Sequence, residues 1–135
     1  MSGAEPSKPV LHAPTHNVGG SDVLTFPAKL TYTELYASFQ AVGDGGWEEK
    51  DLAAFGIPAS AVCEIVMKNT VINAELNAGV RNTSSALARL FQLQEAEAGG
   101  GDFVSVHVKA DANKKIDIYA EVAADIYFYL VGYWS

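Results

Sequence analysis

The amino-acid sequence predicts an all-β protein, an antiparallel β-sandwich of jelly-roll type preceded by an extended N-terminal arm. Three observations predict it. Apolar residues alternate with period two through 103–109, 116–122 and 125–134. Clusters of Gly, Pro, Asn and Asp punctuate the chain at short spacing. Residues 1–28 show neither the strand period nor the helix period, and this divides the chain into an arm, 1–28, and a sandwich domain, 29–135.

The arm comes first. Pro6, Pro9 and Pro14 force their predecessors out of the helical region, and the Gly19-Gly20 pair breaks regular structure. Such a segment has no core of its own and takes a fixed shape where a partner binds it. Strands are then expected at 30–42, 61–69 and 71–78, with Gly43-Asp44-Gly45-Gly46 and Gly56-Ile57-Pro58 between them. Residues 51–56 suit one short helical turn. Residues 84–95 fit two templates. Ser84 can cap a helix carrying Leu87, Leu90 and Phe91 on one side, while Leu87, Phe91 and Leu93 also alternate about Arg89. The β surroundings favour the strand.

The last third is the clearest. Val104, Val106 and Val108 share one strand face, and so do Ile116, Ile118, Ala120 and Val122. Residues 110–115, Ala-Asp-Ala-Asn-Lys-Lys, have turn chemistry, so these two strands are expected to form a hairpin. In 125–134 both faces are apolar. Ile126, Phe128, Leu130 and Trp134 lie on one, and Tyr127, Tyr129, Val131 and Tyr133 on the other. A strand of that kind is central in its sheet or faces a partner.

Composition narrows the function. The 135 residues are 49% hydrophobic and 19% charged, an ordinary globular balance with enough chain for one core. The net charge is −7, and the nine Lys and Arg residues are scattered with Lys114-Lys115 the one adjacent pair. Nucleic-acid binding, which needs a basic stripe, is therefore not expected. No apolar run approaches the length of about 18 residues that a membrane span needs, and no signal peptide is recognisable at the N-terminus. A soluble protein made in a cytoplasm is expected. Cys63 is the only cysteine and sits in an apolar run, as a small core residue would.

Catalysis is not expected. Glu48 with Glu49, and Glu95 with Glu97, are carboxylate pairs among polar, loop-like neighbours, with nothing to shift a pKa. No nucleophile–base pair or phosphate-binding glycine loop can be assembled. His12 and His16 stand four apart, the spacing of two ligands on a helix face, but Pro14 between them removes the helix. Three arms meeting on a symmetry axis could bring copies of either imidazole to one metal. Hydrogen bonds from both rings to backbone are the favoured alternative, so no metal or other cofactor is expected. His107 alternates with Phe103, Ser105 and Lys109 and reads as a surface or interface histidine. Tyr119, Tyr127, Tyr129 and Tyr133 share an alternation class. If exposed they would form a patch suited to protein association or sugar stacking; if covered they are core.

The arm carries His12, Thr15, His16, Gly19, Gly20 and Asp22 in the order His-x-x-Thr-His-x-x-Gly-Gly-x-Asp. This resembles a segment recurring in structural proteins of tailed phages, in tail fibres and on head surfaces. Downstream, Gly46-Trp47-Glu48, Ile57-Pro58-Ala59, Gly79-Val80-Arg81 and Tyr129-Leu130-Val131-Gly132-Tyr133-Trp134 resemble a phage β-sandwich module. Together the resemblance covers most of the chain. It implies a virion structural protein, oligomeric and often trimeric, with the arm set as its anchoring residues. The missing stalk and repeats depart from long fibres and favour a capsid decoration or head-fibre protein on the major capsid protein. A tail-associated module that binds a host glycan or protein is the alternative, and an unrelated carbohydrate-binding module with a linker is a third reading.

Overall fold

A computed structural model describes residues 29–94 and 102–135. The expected arm, 1–28, lies outside them. The described residues form two four-stranded antiparallel sheets, so the expected all-β sandwich is what the chain adopts. The strands are β1 (Tyr32–Phe39), β2 (Gly46–Asp51), β3 (Val62–Asn69), β4 (Leu76–Asn82), β5 (Leu90–Leu93), β6 (Phe103–Lys109), β7 (Lys115–Ala120) and β8 (Ile126–Trp134). One sheet runs β1-β8-β3-β6, the other β2-β7-β4-β5. First pairs with last throughout: β1 with β8, β2 with β7, β3 with β6 and β4 with β5. That is one long hairpin rolled over on itself, the jelly-roll order.

Most strands lie where the alternation puts them. The expected strand at 103–109 is β6, and β3, β7 and β8 begin within one residue of their expected starts. The expected hairpin between 103–109 and 116–122 does not form. β6 pairs with β3, whereas β7 pairs with β2 and β4 in the other sheet. Turn chemistry at 110–115 is real, but the turn carries the chain from sheet to sheet. Asp111 holds it by accepting the N–H groups of Asn113 and Lys115 and the hydroxyl of Thr83. Asp–Asn–Lys chemistry specifies a tight reversal and says nothing about which strand each arm then joins.

Other expectations shift. Residues 71–75 are not strand, because Asn73 takes a left-handed φ of 68° and turns the chain before β4 begins at Leu76. Of the described part of that segment, 84–94, only 90–93 is strand; Ser84, at φ 63°, opens an irregular approach instead of capping a helix. Residues 53–55 are the expected short turn, a 3₁₀ turn closed by Gly56 in the left-handed region at φ 82°. β2 went unpredicted. It is an edge strand whose last four residues are all charged, and Glu48 and Glu49 lie in it rather than in a loop. Glu48 accepts the N–H groups of Val42 and Gly43, fixing the bend that leads into β2.

The core lies between the sheets. Ile65, Met67, Ile126, Phe128 and Leu130 enter it from one sheet, and Val80, Leu93, Ile116 and Ile118 from the other, all fully buried. Phe128 is stacked on Phe39 with ring centres 5.4 Å apart, and Phe39 on Phe55 at 5.9 Å, so the 3₁₀ turn closes one end. β8 is central, paired to both β1 and β3. Cys63 is buried, and burial pushes its thiol up to about 11, as an inert core cysteine requires. Asn69 is the one buried polar side chain among the described residues. Its amide donates to the carbonyls of Ala74 and Gln94 at 2.8 and 2.9 Å and its oxygen accepts from Val71 N–H, so it fastens the β3–β4 connection to the end of β5.

Candidate functional site

The outer face of the β1-β8-β3-β6 sheet carries exposed aromatic rings beside carboxylates. Residues opposite one another across a ladder share a face, so the register reads out the surface row by row. Tyr32, Trp134, Val62 and Lys109 make one row, and Glu34, Gly132, Glu64 and His107 the next. Ser38, Tyr129, Val66 and Ser105 make a third.

A bulge sets this surface. Leu130 pairs with Ala37 and Ile65, while Gly132 pairs with Glu34 and Glu64. Val131 is therefore an extra residue relative to β3, and Leu35 with Tyr36 oppose it on β1. One inserted residue turns every later side chain to the opposite face. Trp134, expected on the core face, points outward, and Tyr133, expected opposite it, packs against the core next to Cys63.

Gly132 makes the second distinctive feature. The Tyr32 ring lies across it, and a Cβ at Gly132 would sit within 2.0 Å of the Tyr32 hydroxyl. Without that side chain, Tyr32 crosses the whole width of β8 and donates its hydroxyl to Glu64 on β3 at 2.8 Å. Ser105 donates to the other carboxylate oxygen of Glu64 at 3.4 Å, and His107 Nε2 lies 4.0 Å from it. Trp134 is tilted against Tyr32 at 4.6 Å and meets the edge of His107 at 4.9 Å. Desolvation, then the Glu64 carboxylate and Glu34, hold the Tyr32 hydroxyl above the usual tyrosine range. Beside the Tyr32 ring an open groove of about 540 Å³ is lined by Tyr32, Glu34, Leu35, Tyr36 and Val131. Tyr36 is 75% exposed, and its ring lies 5.8 Å from that of Tyr129.

The four tyrosines singled out in the sequence go to different places. Tyr127 and Tyr129 lie on this outer face, 6.3 Å apart, and desolvation, then Tyr36 and Tyr127, raise the pKa of Tyr129. Tyr119 lies on the outer face of the other sheet beside Trp47, and Tyr133 faces the core. His107 is exposed, as expected of a surface histidine. The anchoring set His12, Thr15, His16, Gly19, Gly20 and Asp22 lies outside the described residues, as do Glu95 and Glu97.

No family model matches the chain, and no curated protein matches it. Among the described residues no group of three or more His, Cys, Asp or Glu side chains could hold a metal ion. No described helix is long and apolar enough to cross a membrane. Tyr32, Glu34, Tyr36 and Glu64 are the residues that sequence reasoning missed. The outward alternation of 32–36 was readable, but the meeting of Tyr32 with Glu64 depends on β8 lying between β1 and β3. The sequence does not print that order.

Proposed function

We propose that this chain is a structural protein of a tailed-phage particle, a capsid decoration or head-fibre protein. Its N-terminal arm anchors it on the major capsid protein, and it assembles as a homotrimer. It is made in the host cytoplasm and resides in the virion. The arm motif supports the reading. The structural observation that carries it is where the arm would join the sandwich. The described chain enters β1, an edge strand, through exposed Leu30 and Tyr32, with Tyr36 further along the same strand. Thr31 and Ser135 exchange backbone hydrogen bonds there, at 3.0 and 3.2 Å, so the point of entry is fixed. An arm leaving from such a point can grip a partner without disturbing the core, and exposed apolar side chains beside it suit a contact surface.

Deleting residues 1–22 tests this. The expected outcome is a folded sandwich with unchanged melting and no incorporation into particles. Wild-type occupancy by the truncated chain would move the anchor onto the sandwich and overturn the proposal. A tail-associated receptor-binding module is the second reading, and the open groove beside Tyr36 favours it.

A further inference from the structure

We propose that the groove walled by Tyr36 and Glu34 is a saccharide site that takes an uncharged pyranose. The inference deepens the receptor-binding reading and rests on it only for the biological source of the sugar. The platform is Tyr36, whose ring is steadied by Tyr129 at 5.8 Å while three-quarters of the residue stays open to solvent. An exposed aromatic face is where the C–H face of a pyranose stacks. The polar groups are acceptors. The Glu34 carboxylate makes no side-chain hydrogen bond among the described residues, and the Val131 carbonyl beside it accepts from the Tyr32 hydroxyl at 3.3 Å. The Tyr32 hydroxyl is already directed at Glu64. A ligand here must bring donors, and vicinal hydroxyls suit a carboxylate, which can accept at both oxygens.

Charge and size fix the class further. Among the described residues no Lys, Arg or His lines the groove, and Glu34 lines it with Glu64 on the far side of Gly132. A sugar acid would meet a carboxylate without a counter-cation. The volume of about 540 Å³ suits a small ligand of one or a few rings, within the range of about 300–1,000 Å³ usual for such sites. A stable protein partner needs roughly 800 Å² from each side, a broad face rather than a dent of this size.

The test uses the full chain, with calorimetry and saturation-transfer NMR. The probes are four neutral disaccharides (lactose, maltose, cellobiose and diacetylchitobiose), sialyllactose as the acidic probe and chitobiose as the cationic one. At least one neutral probe is expected to bind at millimolar strength or better, with sialyllactose weaker. Tyr36→Ala should weaken it about tenfold or more, and Glu34→Gln should weaken it less. Tyr36 is exposed, so its truncation spares the fold, and Tyr119→Ala on the opposite face should leave binding unchanged. Four outcomes overturn the proposal: no neutral probe binds, Tyr36→Ala has no effect, an acidic or cationic probe binds in place of the neutral ones, or Tyr36→Ala instead abolishes self-association of the chain. Sugar binding by the isolated chain is read without a particle. Its failure is thus distinguishable from failure of the receptor-binding reading, which the protein's position on the particle decides.

Discussion

The two sheets each set a glycine beneath an aromatic ring on their outer faces, and the two arrangements differ in what surrounds the ring. On the β2-β7-β4-β5 sheet, Gly79 lies under Trp47, and the Arg81 guanidinium sits 4.0 Å over the indole. Arg81 also pairs with Asp117 at 3.3 Å and donates to the carbonyl of Leu87. Both members of that pair are about 85% shielded, with side-chain exposures of 16% and 14%. The Arg81 guanidinium thus meets an aromatic face, a carboxylate and a carbonyl at once, and the assembly is closed. On the β1-β8-β3-β6 sheet the ring over Gly132 is Tyr32, and around it His107 is 59% exposed in its side chain, Tyr36 is open, and a groove runs alongside. The same local device serves stability on one face and leaves an accessible surface on the other. A polar network that satisfies itself has little left to offer a ligand.

The layer shared by both sheets sets the scale for testing this contrast. Phe128→Ala should cost about 3–5 kcal/mol and give little soluble protein, since it removes the buried ring stacked on Phe39. Normal expression with an unchanged melting temperature would contradict that. Gly79→Ala comes next. Its Cβ would meet the Arg89 carbonyl at 2.3 Å, and backbone cannot step aside as a side chain can. A loss of about 3 kcal/mol is expected in chemical denaturation. An unchanged midpoint would mean that β5 yields freely and that the second face is not closed.

Arg81→Met should then cost about 1–2 kcal/mol, because it strips Trp47 of its cation and leaves Asp117 unpaired. Glu64→Gln on the other face, at a half-buried side chain that keeps a hydrogen-bond acceptor for Tyr32, should stay within about 0.5 kcal/mol. Equal losses in the two variants would break the distinction between them. Gly132→Ala sharpens it. The clash there is with the far end of Tyr32, so stability should fall by no more than about 1 kcal/mol. Tyr32 should swing off Glu64, and its hydroxyl should titrate closer to the ordinary tyrosine value in an NMR titration. Persistence of the raised value would show that Glu64 is not its cause.

The smallest effect concerns the crossover between the sheets. The Lys115 backbone N–H, then the Thr83 hydroxyl and Asn113 N–H, hold the Asp111 carboxyl below its usual range, against a smaller opposing effect of desolvation. A depressed carboxylate stabilises the fold above its unfolded pKa and loses that contribution as pH falls through the folded value. The stability difference between wild type and Asp111→Asn should therefore be full at neutral pH and close in acid, below the ordinary carboxylate range. A pH-independent difference would trace the effect to geometry rather than charge.

The sequence made the fold class legible through Val104–Val106–Val108, Ile116–Ile118–Ala120 and Ile126–Phe128–Leu130, because burial on one side of a strand leaves a period of two. It hid β2, since an edge strand with Glu48, Glu49 and Lys50 needs no apolar stripe. It hid the bulge too. Nothing local to Val131 announces an extra residue, yet that residue decides whether Trp134 or Tyr133 faces out. The candidate site was half legible for the same reason. Tyr127 and Tyr129 alternate with the core before the bulge and were readable as a pair. Tyr32 and Glu64, 32 residues apart, meet only because the roll lays β8 between their strands.

The roll also constrains how the chain can come into being. β8 is the bridge between β1 and β3, and β7 the bridge between β2 and β4. During synthesis the first six strands emerge with neither bridge available. β1 must wait for a partner that lies about 100 residues downstream in the pairing of Tyr32 with Trp134. Until then the edges of β1 and β3 lie open to pairing with other nascent chains. Closure is a late, nearly simultaneous event, so folding should be slow and all-or-none, and crowded translation of this chain should reward chaperones that shield strand edges.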